Sequence, residues 1–130
     1  MTAWTPDGEF FALVGQAVQA YADTGVPVPV GPPMFRFADE GECRATLLSA
    51  GFVEPTLQRL PLAWTGETPY AVLDLLHRAT VRAPMLIDAQ TAEARSAIER
   101  AIVQGAERYR RDQGKIVLQW PALLTAARRF

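Results

Sequence analysis

The sequence predicts an α/β fold in which a small sheet is packed with four helices. Two observations carry this: four segments repeat apolar residues at helical spacing, while a short opening segment and two later ones read as extended. A third is that prolines and glycines divide the segments cleanly, with no internal repeat and no low-complexity tract. A length of 130 residues suits one domain spanning 1–130, and a chain of that size can bury roughly two thirds of its unfolded surface.

The opening Thr2-Ala3-Trp4 reads as a short strand. From about Gly8 to Asp23, Phe10, Val14, Ala17, Val18 and Tyr21 form one apolar helical stripe, which Gly25 ends. The stretch Val26 to Pro33 must be extended or looped, because proline disfavours helix in itself and in the residue before it. Asp39, with Glu42 three positions on, has the form of an N-terminal capping box, with Asp in place of the usual Ser or Thr. Cys43, Leu47 and Leu48 then supply the buried face, and Gly51 closes the helix in a left-handed turn.

Phe52 to Trp64 reads as one strand, with Leu60, Leu62 and Trp64 alternating onto a face and Val53 and Leu57 out of phase with them. The phase change predicts a bulge near Gln58 and Arg59. Pro55 and Pro61 cannot donate to a ladder, so the strand is expected at a sheet edge. Thr68-Pro69 is a helix start, with threonine as cap, continued by Val72, Leu75, Leu76 and Ala79. Pro84 is a break. A long helix from Asp88 or Thr91 to Gln113 follows, with Ala94, Ile98, Ala101, Ile102, Gly105 and Tyr109 inward, Gly105 admitting a close neighbour and Gly114 closing it. Lys115 to Arg129 reads as extended, with Leu123 and Leu124 covered on both faces. Strands so few are not expected to cover the helices without help from a partner.

Composition excludes several functions. Hydrophobic residues make up 49% and charged residues 21%, and no apolar run approaches the roughly 18 residues of a membrane span. The first residues have neither a basic leader nor an apolar stretch, so a cytoplasmic address is expected. Cys43 and His77 are the only members of their types, too few for a zinc site. A net charge of −1 argues against nucleic acid as a partner, and Arg108, Arg110, Arg111 and Lys115 fall at a helix end that favours cations anyway.

Catalytic patterns are likewise missing. Phosphate and dinucleotide sites need closely spaced glycines, and no two here are closer than Gly25 and Gly31. A nucleophile would have to pair with His77, yet Ser49, Ser96 and Cys43 all fall within helices. The carboxylates of Asp39, Glu40 and Glu42 are explained by capping and the helix dipole. Trp4, Phe10, Phe11, Met34, Phe35, Tyr70 and Trp120 are open to two readings, core packing or the wall of an apolar ligand pocket. His77 is read as a polar residue on a helix flank.

Three phrases carry a resemblance: Thr2-Ala3-Trp4 followed by Pro6; Phe35-Arg36-Phe37-Ala38-Asp39 with a helix and then Ala50-Gly51-Phe52; and the ending Pro121 to Arg129. In this order they resemble the C-terminal part of class I S-adenosylmethionine-dependent methyltransferases, of the small-molecule type related to quinone biosynthesis. The resemblance implies a partial Rossmann-like methyltransferase fold comprising a stub of the fifth strand and the last two strands, with the seventh between the fifth and sixth. It implies that the glycine-rich, donor-binding half has no counterpart here, so the chain alone is expected to bind no cofactor and to be inactive. S-adenosylmethionine enters only if another polypeptide, a donor-binding partner chain, supplies that half. Trp4, Phe10, Met34, Phe35, Tyr70 and His77 are then candidates for the acceptor pocket, with an apolar small molecule as ligand. A homodimer, joined through an exposed strand edge or helix faces, is the other expected partner, and a homodimeric binding or interaction module without catalysis is the alternative function.

Overall fold

The computed structural model describes Met1 to Phe130, apart from the side chain of Asp112. Its elements follow in the order β1 (Thr2–Trp4), α1 (Glu9–Tyr21), a 3-10 turn (Arg36–Ala38), α2 (Glu40–Ser49), β2 (Phe52–Leu60), β3 (Ala63–Gly66), α3 (Ala71–Ala79), α4 (Arg82–Asp88), α5 (Ala92–Ala106), 3-10 turns at Glu107–Tyr109 and Asp112–Gly114, β4 (Ile116–Gln119) and β5 (Ala122–Arg129). The mixed α/β class is as expected, but the described residues form five α-helices where four were expected, and two small sheets, β1-β5-β2 and β3-β4.

One compact unit comprises Met1–Gly8, Gly31–Ala63 and Gln119–Phe130. In its sheet β5 lies between β1 and β2 and is antiparallel to both. The β1 ladder runs from Trp4 opposite Ala122 to Thr2 opposite Leu124, and Met1 exchanges two 2.8 Å hydrogen bonds with Thr125. Past Thr125, no strand lies on that side of β5 among the described residues. β2 is an edge strand, as Pro55 requires, but its bulge falls between Val53 and Thr56, earlier than expected. The cause is Pro55, which has no N–H for the ladder, while Glu54 turns to φ 52° before it. Thr5 is fixed by Pro121, whose carbonyl accepts from both its amide and its hydroxyl.

The expected strand from Phe52 to Trp64 is two strands. At Pro61 the Leu62 amide bonds the Leu60 carbonyl at 3.0 Å, a three-residue turn that ends β2 and leaves Leu62 exposed. α2 starts as expected, with the Asp39 carboxylate accepting from the Glu42 amide at 2.8 Å, and Gly51 takes φ 83° after its end. The Glu42 side chain does not complete a capping box but bonds Arg36. α2 packs on β2, and Cys43, fully buried, meets the Thr125 hydroxyl at 3.5 Å. Leu48, expected inside, is exposed, because it falls five positions from Cys43 and off the buried face.

The other unit comprises Glu9–Val30 and Trp64–Leu118. Phe10, Leu13, Val14 and Ala17 of α1 are buried, as are Val72 and Leu76 of α3, Ile87 of α4, and Ile98, Ile102 and Ala106 of α5. Ile116 and Leu118 of β4 alternate inward with them. Tyr21, at the end of the expected stripe, is exposed.

α3 begins at Ala71 because the carbonyls of Thr68, Pro69 and Tyr70 accept tighter, three-residue bonds before the α-helical ladder starts, and Thr68 provides no side-chain cap. Pro84, expected to be a break, falls inside the helix α4. Pro84 lies in its first turn, where its missing N–H has no helical partner to lose. α5 is capped by Thr91, whose hydroxyl accepts from the Ala94 amide at 3.2 Å, and it stops at Ala106, well before the expected Gln113. The last extended stretch is divided by Trp120-Pro121 into strands of different sheets, and Leu124, expected to be covered, is 37% exposed.

Candidate functional site

Three of the acceptor-pocket candidates fall in the unit that contains β5. Trp4 ends β1 and stays 41% exposed, although its ring is held against Trp120 with centroids 4.8 Å apart. Met34, exposed, and Phe35, half-buried, immediately precede the 3-10 turn Arg36–Ala38, which packs against β1. Beyond them the Arg36 guanidinium lies over the Phe37 ring at 5.2 Å and bonds Glu42 at 2.7 Å. Trp4 on β1 and Met34 and Phe35 before the turn thus belong to one unit, with the paired Arg36 next in the chain.

The other three candidates belong to the helical unit and are separated within it. Phe10 is 1% exposed and packed edge-on to Phe11, in the core. His77 is an exposed residue in the last turn of α3. Tyr70, 69% exposed, lines an open groove of about 490 Å³ together with Leu73, Ser96, Glu99, Arg100, Val103 and Gln104. A second, smaller groove, lined by Tyr21, Ala97, Arg100, Ala101 and Gln104, shares two of these residues. α5 is therefore a ridge between two grooves. The sequence does not single out its outer residues, although Ile98 and Ile102 are expected inward, because the grooves beside them depend on where Tyr21 and Tyr70 come to lie.

Two exposed carboxyls are held below their ordinary values. Arg110 bonds Glu107 through two nitrogens at 2.9 Å and keeps that exposed carboxyl below its ordinary value. Asp7 is also lowered, first by the Thr5 hydroxyl and then by its backbone and Arg59, which it meets in an exposed ion pair. Both are surface pairs without a cavity. The C-terminal cations of the helical unit are similarly engaged: Arg108 bonds Gln16, and Lys115 pairs with Glu67 at 2.9 Å.

No group of His, Cys, Asp and Glu among the described residues could hold a metal ion, and no described helix is long and apolar enough to cross a membrane. The chain matches no protein-family model, and no curated protein matches it.

Proposed function

We propose that this chain is the acceptor-side, C-terminal portion of a class I S-adenosylmethionine-dependent methyltransferase of the small-molecule type, cytoplasmic and inactive by itself. The observation that carries the reading is the strand order β1-β5-β2, with the last strand central and antiparallel to both neighbours. The resemblance requires that order of the fifth, seventh and sixth strands. Trp4, Met34 and Phe35, gathered on β1 and the adjoining turn, are the residues that would meet an apolar acceptor.

The residues present do not fit the methyl donor. The loop from β1 to α1 offers Pro6, which has no N–H, and commits the Thr5 amide to Pro121 and the Gly8 amide to Thr5. No methyl-transfer step is therefore derived for this chain alone. Co-expression with the polypeptide encoded by the adjoining DNA tests the reading: a complex that binds S-adenosylmethionine supports it, and adjoining DNA without a glycine-rich strand-turn-helix counts against it.

A second reading, an interaction module without catalysis, rests on the edge of β5. On its β1 side the backbone groups of Ala127 and Arg129 have no partner strand among the described residues, and such an edge accepts another chain. Retention of hydrogen-exchange protection at Ala127 in the free monomer would contradict it.

A further inference from the structure

We propose that the outer face of α5 is the contact surface of a two-fold homodimer, independently of the methyltransferase reading. Ile98, Ile102 and Ala106 bury the inner face completely. The opposite face presents Glu93, Ser96, Ala97, Arg100 and Gln104 at helical spacing. Among the described residues, the side chains of Glu93, Arg100 and Gln104 make no hydrogen bond or ion pair, and of the other cations in this unit Arg82 is in the same state while Arg78, Arg110 and Lys115 are paired.

The stripe is its own complement. Glu93 and Arg100 stand equally far on either side of the point between Ser96 and Ala97. A two-fold axis through that point, with two copies of α5 antiparallel, sets Glu93 opposite Arg100 of the partner subunit, and does so twice. Parallel packing would instead oppose like charges. The small side chains of Ser96 and Ala97 lie at the closest approach, where two helix axes can come within about 8–10 Å.

The larger flanking groove, with Tyr70, Leu73 and Val103, supplies the apolar part. The smaller groove is bordered by Tyr21 and the larger by Tyr70, which are 52% and 69% exposed, and tyrosine is a residue type enriched where proteins associate. A second copy is favoured over an unlike protein or an anionic surface because Glu93 and Arg100 stand in symmetric places, each able to meet its opposite on the partner subunit, while Glu99 at the groove edge adds a further acid. The β5 edge suits a second copy less well, since antiparallel self-pairing about Arg128 would bring arginines together.

Sedimentation equilibrium of the full chain at micromolar concentration tests the surface. The unmodified protein is expected to be dimeric, and either Glu93→Arg or Arg100→Glu should weaken the dimer by about tenfold or more, through two like-charge contacts. The double variant that exchanges the charges should recover it. Circular dichroism checks the fold of each variant, and Arg100→Gln, which only neutralises, gives a smaller loss should a reversal unfold the helix. A monomeric unmodified protein, a dimer indifferent to the single variants, or an exchange variant no stronger than they are would overturn the proposal.

Discussion

Gly105 lies against Leu13: a side-chain carbon placed on Gly105 would stand 2.5 Å from Leu13 Cδ1. This contact seats α1 on α5, and Leu13 is only 2% exposed. The obstacle is the far end of a flexible side chain, while alanine gains about 1 kcal/mol of helix propensity over glycine. Gly105→Ala is therefore expected to change stability by less than about 1 kcal/mol. Gly105→Val, with a branched side chain in the same place, should cost about 1–3 kcal/mol in urea unfolding. Equal behaviour of the two variants would contradict this packing.

Phe10 and Tyr70 were both pocket candidates, and their burial separates them. Phe10→Ala empties a fully packed site and should destabilise by about 3–5 kcal/mol. Tyr70→Ala removes a ring that is mostly in solvent and should stay within about 0.5 kcal/mol. Thermal unfolding of the two variants under dilute, monomeric conditions distinguishes a core residue from a surface one.

The cap of α2 is testable in the same way. Asp39→Ala leaves the Glu42 amide without its acceptor and should cost about 1 kcal/mol, whereas Asp39→Asn keeps an acceptor and most of the stability. An Asn variant as weak as the Ala variant would show that the cap bond is not what matters there.

Acidification should weaken the fold. The folded state holds Glu107 below its ordinary value through Arg110, and Asp7 below its own through Thr5 and Arg59. Such carboxyls stabilise the fold fully above their unfolded values, about 4, and lose that contribution as pH falls through their lower folded values. Urea midpoints should therefore drop on going below about pH 4. Arg110→Gln should lose less on acidification than the unmodified protein. A midpoint that rises in acid, or an identical loss in the variant, would contradict the pairing.

Much of this fold was legible where a residue acts locally. Asp39 capping α2, Gly51 in a left-handed turn, Pro55 at a sheet edge and Gly105 beneath a neighbour all follow from the chemistry of single side chains. What escaped depends on choices between local alternatives. Pro84 breaks a helix in its interior but fits its first turn, and Trp120-Pro121 can continue an extended chain or send two strands to different sheets. For the site, aromatic character alone could not separate Phe10 in the core from Tyr70 in a groove, because both occur beside helix starts. The Glu93 and Arg100 stripe gains meaning only from the grooves on either side of it, which tertiary packing creates.

A methyltransferase acceptor side without its donor half, as proposed above, does not hold the methyl donor by itself. Calorimetric titration of the isolated protein with S-adenosylmethionine, and with S-adenosylhomocysteine, tests this most directly. No binding heat is expected for either compound, because no glycine cradle is present and the Thr5 and Gly8 amides are already engaged. Tight, saturable binding of either one by this chain alone would contradict the account.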